Sequence, residues 1–226
     1  MLTVIPTCNG KSFHKDGDQN IWRTFLFVEG VQTREAVQSP AEAFQAGKAF
    51  GEFQCDLMDL SGGRLAETIP NFHNTRKRYK DFQKAVQSDP CNRASSARQE
   101  IAFAEQRQDI AGIILDAMSN GEIPERITHN DTKFNNLLLD AATGEVMCVV
   151  DLDTVMPGCV LYDFGDMIRS MTNSAREDET DLSKVQMRMP MFKALAKEFR
   201  ISIAFDPEAA GPSQWKVNFG RIARGE

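Results

Sequence analysis

The stretch that most constrains the fold of this chain is 127–153, ITHNDTKFNNLLLDAATGEVMCVVDLD. Two short apolar runs, 137–139 and 146–150, are separated by DAATG, which has turn-forming residues at both ends. This pattern predicts a β-hairpin, and because its second strand is apolar throughout, we expect that strand to be buried on both faces. A hairpin returns the chain to its starting edge. Polar residues that flank the two strands should therefore lie close together.

The polar residues that flank this hairpin are two carboxylates and an amide. Asp131 and Asn136 precede the first predicted strand, and Asp151 directly follows the second. Such groups offer hard oxygen ligands, which suit Mg²⁺ and not Zn²⁺. They are also the groups that phosphoryl transfer to a hydroxyl requires, since one carboxylate accepts the hydroxyl proton while the other groups hold the metal. The sequence therefore predicts a magnesium-dependent phosphotransfer site.

Several motifs in the chain resemble a known family. HNDTKFNN, VVDLD and LYDFGD are similar to the aminoglycoside phosphotransferase/choline kinase family, relatives of protein kinases that phosphorylate small molecules. Within that group the chain most resembles the N-acetylhexosamine 1-kinases, through ITHNDTKFNN, VVDLDTVMPG, LYDFGDMIR, VIPTCNGKSF and WRTFLFVEG. The resemblance covers about residues 1–200. The spacing H-x-D-x(4)-N is moderately specific alone, and D-x-D at this distance makes it a strong signal.

The resemblance implies a role for each polar position. Asp131 matches the catalytic base, and Asn136 and Asp151 match the Mg²⁺ ligands of an ATP-dependent kinase. Lys133 matches a position where several kinases keep a cation near the transferred phosphate. Asp153 would face the sugar or a second metal ion. The expected partners are thus ATP and a sugar acceptor.

Two further residues receive structural interpretations. His129 matches a position that braces the catalytic loop. Asp163, in YDFGD, is similar to the DFG motif of protein kinases, but the metal-binding aspartate already precedes it in VVDLD. We therefore interpret Asp163 as the N-cap of a helix that begins near Phe164.

Ordinary structural roles compete with the site assignment. A loop aspartate before a strand is commonly a turn or cap residue, and for an isolated Asp131 that would be the better interpretation. The presence of Asn136 and Asp151 at the family spacing favours the site. For Asp153 the two interpretations are evenly balanced.

The N-terminal residues predict a small β element. Strands are expected over 2–6 and 21–28. By resemblance, residues 1–30 form a remnant of the small nucleotide-binding lobe and the hinge, where the backbone of Phe27 and Val28 would face the adenine. Residues 31–226 then form a mostly helical large lobe with the catalytic hairpin, giving an α+β, protein-kinase-like fold. From pattern alone, an edge hairpin packed on helices explains the N-terminus equally well.

The predicted small lobe is incomplete. A kinase-like lobe needs a Gly-rich loop over the phosphates and a strand lysine that holds them, which the ~20 residues before the hinge cannot contain. Lys11 and Lys15 lie at a predicted hairpin tip and do not fit that role. We therefore expect further small-lobe sequence upstream, with Met1 as an internal start. The alternative is an inactive kinase-fold fragment that acts as a binding module.

Helical patterns account for most of the remaining chain. Ser39-Pro-Ala-Glu42 is a capping box that predicts a helix, which SGG at 61–63 ends and which carries Gln54 at the edge of its buried face. A helix with a basic, solvated face is expected over 74–86, and one long amphipathic helix is expected over 95–118. A further helical period runs across 182–192, where Pro190 should kink or restart the helix. From about residue 203 the pattern fades.

Composition narrows the class of protein. A net charge of −6 and a pI of about 5.2 disfavour a general nucleic-acid binder. The five cysteines form no C-x-x-C pair, which predicts reduced thiols in a cytoplasmic protein. No apolar run approaches the ~20 residues that span a bilayer, so no membrane association is expected. Other acceptors, namely an aminoglycoside, choline or an amino alcohol, stay open, and the sequence does not predict the oligomeric state.

Overall fold

The chain folds into a mixture of helices and small antiparallel sheets, which confirms the α+β class. The computed structural model describes residues 2–176 and 179–204. The strands are β1 (Val4–Ile5), β2 (His14–Lys15), β3 (Ile21–Trp22), β4 (Thr24–Phe25), β5 (Val31–Gln32), β6 (Arg126–Thr128), β7 (Leu137–Asp140), β8 (Val146–Val149) and β9 (Met156–Gly158). The helices are α1 (Pro40–Asp56), α2 (Thr75–Ser88), α3 (Arg98–Glu105), α4 (Ile113–Ser119), α5 (Val160–Met171) and α6 (Met189–Ala204).

The N-terminal strands form a narrow β element. β1 pairs with β4, and β2 pairs with β3, both in antiparallel register. The single strand predicted over 21–28 is wrong, because Arg23 interrupts it and separates β3 from β4. All four strands are exposed, since they form two two-stranded ribbons with no buried face.

The predicted hairpin is confirmed as β7 and β8, with Leu137 opposite Val149. Its turn is closed by Asp140, whose Oδ1 accepts hydrogen bonds from the backbone N of Ala142 (2.9 Å) and Thr143 (2.7 Å). β5 adds to the other edge of β7. The expectation that the second strand is buried on both faces is wrong, because the sheet packs on α1 on one side and Met147 is 53% exposed on the other.

The core lies between α1, α6, α5 and the hairpin. α1 begins as predicted, with Ser39 Oγ accepting a hydrogen bond from Glu42 N (3.2 Å), but it ends at Asp56, before the predicted stop. α1 and α6 approach so closely at Gly47 that a Cβ there would lie 2.5 Å from Leu195 O. The buried apolar side chains are Val37, Ala43, Ala46, Phe50, Phe134, Leu137, Leu139, Val160, Met167, Met171, Met191, Leu195 and Phe199.

Outside this core, one predicted helix is interrupted and another forms as predicted. The single helix over 95–118 is wrong, since α3 and α4 are separated by a 3₁₀ segment, Gln108–Gly112. Phe103 (58%) and Ile113 (59%) are exposed, and neither α3 nor α4 contains a fully buried residue, so packing contributes little to holding one long helix here. α2, in contrast, begins at Thr75 with a solvated face, as predicted.

The last described helix begins later than predicted. The helical period expected from residue 182 is wrong, because Leu182–Lys184 forms one 3₁₀ turn and α6 begins only at Met189. Pro190 sits in the first turn of α6, where its missing N–H costs no hydrogen bond, so it restarts the helix as predicted. The fading pattern after 203 falls mostly outside the described residues. No helix in the described ranges is long and apolar enough to cross a membrane.

Replacing Gly47 should test the close contact between α1 and α6. Gly47→Ala places a Cβ against backbone atoms of Leu195 that cannot rotate away, so we expect a loss of about 1–3 kcal/mol in the free energy of unfolding, measured by urea denaturation. The matched control is Gly165→Ala in α5, where a Cβ meets nothing within 4 Å and should stabilise by up to about 1 kcal/mol. Equal effects of the two substitutions would contradict the packing described.

Candidate active site

Two loops meet at the ends of paired strands. Residues 129–136 connect β6 to β7, and residues 150–155 connect β8 to β9. β6 pairs with β9 and β7 pairs with β8, so both loops are held at both ends by the same two strand pairs. Val150 N donates a hydrogen bond to Asn136 O (2.9 Å). The hairpin thus brings Asp151 beside the loop that contains Asp131, as its position in the sequence predicts.

A buried carboxylate holds the first loop in place. Asp163 is 0% exposed, and its Oδ2 and Oδ1 accept hydrogen bonds from the backbone N of His129 (2.9 Å) and Asn130 (2.7 Å). The Gln54 side-chain amide on α1 also donates to Oδ2. Thr132 Oγ1 donates to the Asp163 backbone carbonyl (2.7 Å). Asp163 therefore forms hydrogen bonds with three residues of the 129–136 loop and with one residue of α1.

The sequence interpretation of Asp163 as a helix N-cap is wrong. α5 begins at Val160 with Cys159 as the N-cap, so Asp163 lies inside the helix. Its spacing from Val160, Met167 and Met171 places it on the same buried helical face as these residues, a signal that periodicity could have revealed. The prediction that Gln54 lies at the edge of the buried face of α1 is also wrong. The Gln54 side chain is only 6% exposed and donates a hydrogen bond to the Asp163 carboxylate.

The charge of Asp163 is set by opposing influences. Burial raises the pKa of Asp163 to about 7, while the hydrogen bonds from the His129 and Asn130 backbone and from Gln54 act in the opposite direction. Three N–H donors point at this one carboxyl group, and they favour its ionised form. A protonated carboxyl group would have to fit its own O–H hydrogen among these donors, whereas the carboxylate only accepts.

His129 connects the two loops. Its side chain is completely buried, with its ring edge-on to Phe50 and Phe53 at centroid distances of 5.4 and 5.5 Å. Nδ1 accepts a hydrogen bond from Asp131 N (3.3 Å), so Nε2 carries the hydrogen and donates it to Val150 O (2.9 Å). Burial lowers the pKa of His129, in keeping with a neutral ring. The residue braces the loop, as its position in the motif predicts.

The Asp131 carboxylate is oriented from two sides. Asn136 Nδ2 donates hydrogen bonds to Asp131 Oδ2 (3.1 Å) and to the Asp131 carbonyl (2.8 Å). Lys133 Nζ lies 3.4 Å from Asp131 Oδ1. Asn136 is buried, whereas the Asp131 side chain keeps 27% of its surface exposed. The structure thus brings together the three predicted site residues of the first loop and leaves one carboxylate accessible to a ligand.

Both loops contain a left-handed backbone position. Asn130 has φ +67° and Asp151 has φ +61°, a region that asparagine and aspartate enter more readily than other non-glycine residues. Asp151 is exposed and directly follows Val150, whose backbone is bonded to His129 and Asn136. Within the described ranges no three His, Cys, Asp or Glu side chains are grouped to hold a metal ion.

Asp153 contacts the N-terminal β element. Its Oδ1 lies 2.7 Å from Arg23 Nη2, and its carbonyl accepts a hydrogen bond from Thr68 Oγ1 (3.1 Å). Arg23 is the residue that separates β3 from β4. Sequence reasoning missed this arginine, because a lone cation between two strand-forming runs carries no local signal.

Phe27 and Val28 lie in the connection from β4 to β5, outside any strand. Phe27 is 83% exposed and Val28 is half-buried. The connection is fixed at its end, where Gly30 O accepts a hydrogen bond from Ala141 N (2.8 Å) in the hairpin turn. These residues therefore lie where the N-terminal ribbons join the rest of the chain, while contact with an adenine ring stays a prediction.

The chain matches a protein-family model. The family model described as "APH: Phosphotransferase enzyme family" matches residues 4–186. The matched range is more than half of the chain and contains both loops, Asp163 and Arg23.

Replacing the buried carboxylate should destabilise the loop. In Asp163→Asn an amide NH₂ would face backbone N–H groups, so we expect a loss of about 2–3 kcal/mol in the free energy of unfolding. Asp116→Asn, which removes an exposed ion pair to Arg76, is the matched control and should cost less than about 1 kcal/mol. Chemical denaturation of both variants measures the difference, and a loss at Asp163 no larger than the control would contradict the assignment.

The lowered pKa of His129 predicts a pH effect on stability. The unfolded chain binds the imidazole proton more tightly than the folded chain, so the stabilisation is fully present above about pH 6.5 and is lost as pH falls, by up to about 1.4 kcal/mol per pH unit. We expect His129→Gln to reduce the fall in unfolding free energy between about pH 7 and 5.5, relative to wild type. An identical pH dependence in the two proteins would contradict a buried neutral His129.

Proposed function

The chain belongs to the phosphotransferase enzyme family, and we propose that it transfers the γ-phosphate of ATP to a sugar hydroxyl, specifically the anomeric hydroxyl of an N-acetylhexosamine. Membership indicates a small-molecule kinase with a protein-kinase-like fold. The observation that carries the proposal is the Asp131 carboxylate, which is accessible and oriented by Asn136 and Lys133 at the meeting point of the two loops. The N-acetylhexosamine follows from the sequence motifs alone.

Asp131 would act as the general base. Its two oxygens are in different environments, since one accepts from Asn136 and the other faces Lys133. A carboxylate held in this way can orient an acceptor hydroxyl and accept its proton as the phosphoryl group is transferred. Lys133, 3.4 Å from the carboxylate, would place a positive charge near the transferred phosphate.

Asn136 and Asp151 would hold Mg²⁺. The Asn136 Nδ2 is already used toward Asp131, which leaves the amide oxygen as its ligand atom, and the exposed Asp151 carboxylate lies on the adjoining loop. Hard oxygens from one or two side chains fit Mg²⁺, which takes its other ligands from water and phosphate. When bound, the ion offsets the negative charge of the phosphates.

The remaining assignments concern the nucleotide and the cell. We propose that residues 1–30 form part of a nucleotide-binding lobe and hinge, with Phe27 and Val28 beside the adenine, and that 31–226 form the large lobe. Free thiols at all five cysteines and the use of ATP support a cytoplasmic location.

Two alternatives stay open. The acceptor could be another small alcohol, such as an aminoglycoside, choline or an amino alcohol. The chain could instead be an inactive kinase-fold module that binds without transferring phosphate.

ADP release with Mg·ATP and a panel of hexosamines, other sugars, choline and aminoglycosides tests the proposal. We expect turnover that depends on an N-acetylhexosamine and falls by about 10²–10⁴ in Asp131→Asn, because the general base is lost. The matched control is Asp59→Asn, an exposed aspartate outside both loops, which should keep wild-type turnover.

The other outcomes separate the alternatives. Turnover only with choline or an aminoglycoside would replace the sugar acceptor with another alcohol. Absence of both turnover and nucleotide binding, measured by calorimetry with Mg·ATP, would contradict the kinase proposal and favour the binding module.

A further inference from the structure

The loops of the candidate site contain three carboxylates in different surroundings. Asp131 is oriented by Asn136 and Lys133, and Asp151 adjoins Asn136 through the bonded backbone of Val150. Asp153 is the third, and its side chain is 78% exposed, far more than the 27% of Asp131. It therefore lies at the outer, solvent-exposed edge of the loops, two residues after Asp151.

Arg23 neutralises this outer carboxylate. Its Nη2 lies 2.7 Å from Asp153 Oδ1, and it reaches across from the N-terminal β element. The Asp153 backbone is fixed separately by Thr68, so the loop does not depend on the ion pair for its position. The Arg23–Asp153 ion pair therefore affects the charge at the edge of the site more than the shape of the loop.

The charge at this edge bears on which acceptors can bind. A cationic acceptor such as an amino sugar or choline gains from an unpaired carboxylate, whereas an uncharged sugar does not. With Arg23 in place, a cation at Asp153 would have to displace a guanidinium and would also meet its repulsion. An uncharged acceptor avoids both costs.

We propose that Asp153 faces the acceptor and that Arg23 is a specificity-determining residue, which disfavours cationic acceptors by occupying Asp153 and so biases the site toward uncharged sugars. The inference rests on the proposed phosphotransfer to a small-molecule hydroxyl. It adds the charge class of the acceptor and assigns that selection to one ion pair between the N-terminal ribbons and the second loop.

Two acceptors that share a ring but differ in charge provide the test. N-acetylglucosamine is uncharged, and glucosamine carries an ammonium group when assayed below neutral pH. We expect Arg23→Gln to raise kcat/KM for glucosamine relative to N-acetylglucosamine by about three- to fivefold, the effect that one partly exposed ion pair can supply. The increase should shrink in ~0.5 M salt, since exposed charges are screened.

Two further variants isolate the ion pair. Arg23→Gln/Asp153→Asn removes the exposed carboxylate as well, and its ratio should return to the wild-type value. Arg64→Gln, which removes the ion pairs of another half-exposed arginine to Glu125 and Glu67, is the control and should leave the ratio unchanged.

The possible failures are distinguishable. A wild-type enzyme that turns over a sugar, together with an unchanged ratio in Arg23→Gln, would overturn this inference and leave the proposed function intact. A shift of the ratio in Arg64→Gln as large as that in Arg23→Gln would overturn the inference in the same way. If the wild type transfers phosphate to none of the acceptors, the proposed function fails and the inference fails with it.

Discussion

The candidate site depends on one buried interaction, the acceptance of N–H hydrogen bonds by the Asp163 carboxylate. Burying a carboxyl group is costly unless its oxygens are paired, and here His129, Asn130 and Gln54 supply the donors. Because these donors come from the loop and from α1, while the carboxylate is on α5, the interaction joins the helical core to the loop. Asp131 directly follows Asn130, so its position is set by this contact.

A second layer of contacts extends this control to the other loop. His129 is bonded to Asp131 N on one side and to Val150 O on the other, so a single buried ring spaces the two loops. Asn130 and Asp151 adopt left-handed backbone conformations directly beside these bonded residues, and both are residue types that tolerate this region.

The sequence predicts those parts of the fold that depend on local chemistry. The DAATG turn, the N-cap at Ser39 and the adjacency of Asp151 to the first loop all follow from neighbouring residues, and all are confirmed. The prediction for Asp163 is wrong because a capping rule considers only nearby N–H groups, whereas its partners lie about 30 and 110 residues away in the chain. The prediction of a long helix over 95–118 fails since periodicity does not reveal whether a partner covers the apolar face.

Hydrogen exchange at the His129 and Asn130 amides tests the central claim most directly. If the Asp163 carboxylate fixes the loop, both amides should exchange as slowly as those of the paired β7 and β8 strands, through large-scale unfolding. In Asp163→Asn these two amides should exchange faster, while the hairpin amides keep their order of protection among themselves. Exchange of His129 and Asn130 in the wild type at the rate of an exposed loop such as 61–63 would show that the carboxylate does not hold the site, and would contradict its central role.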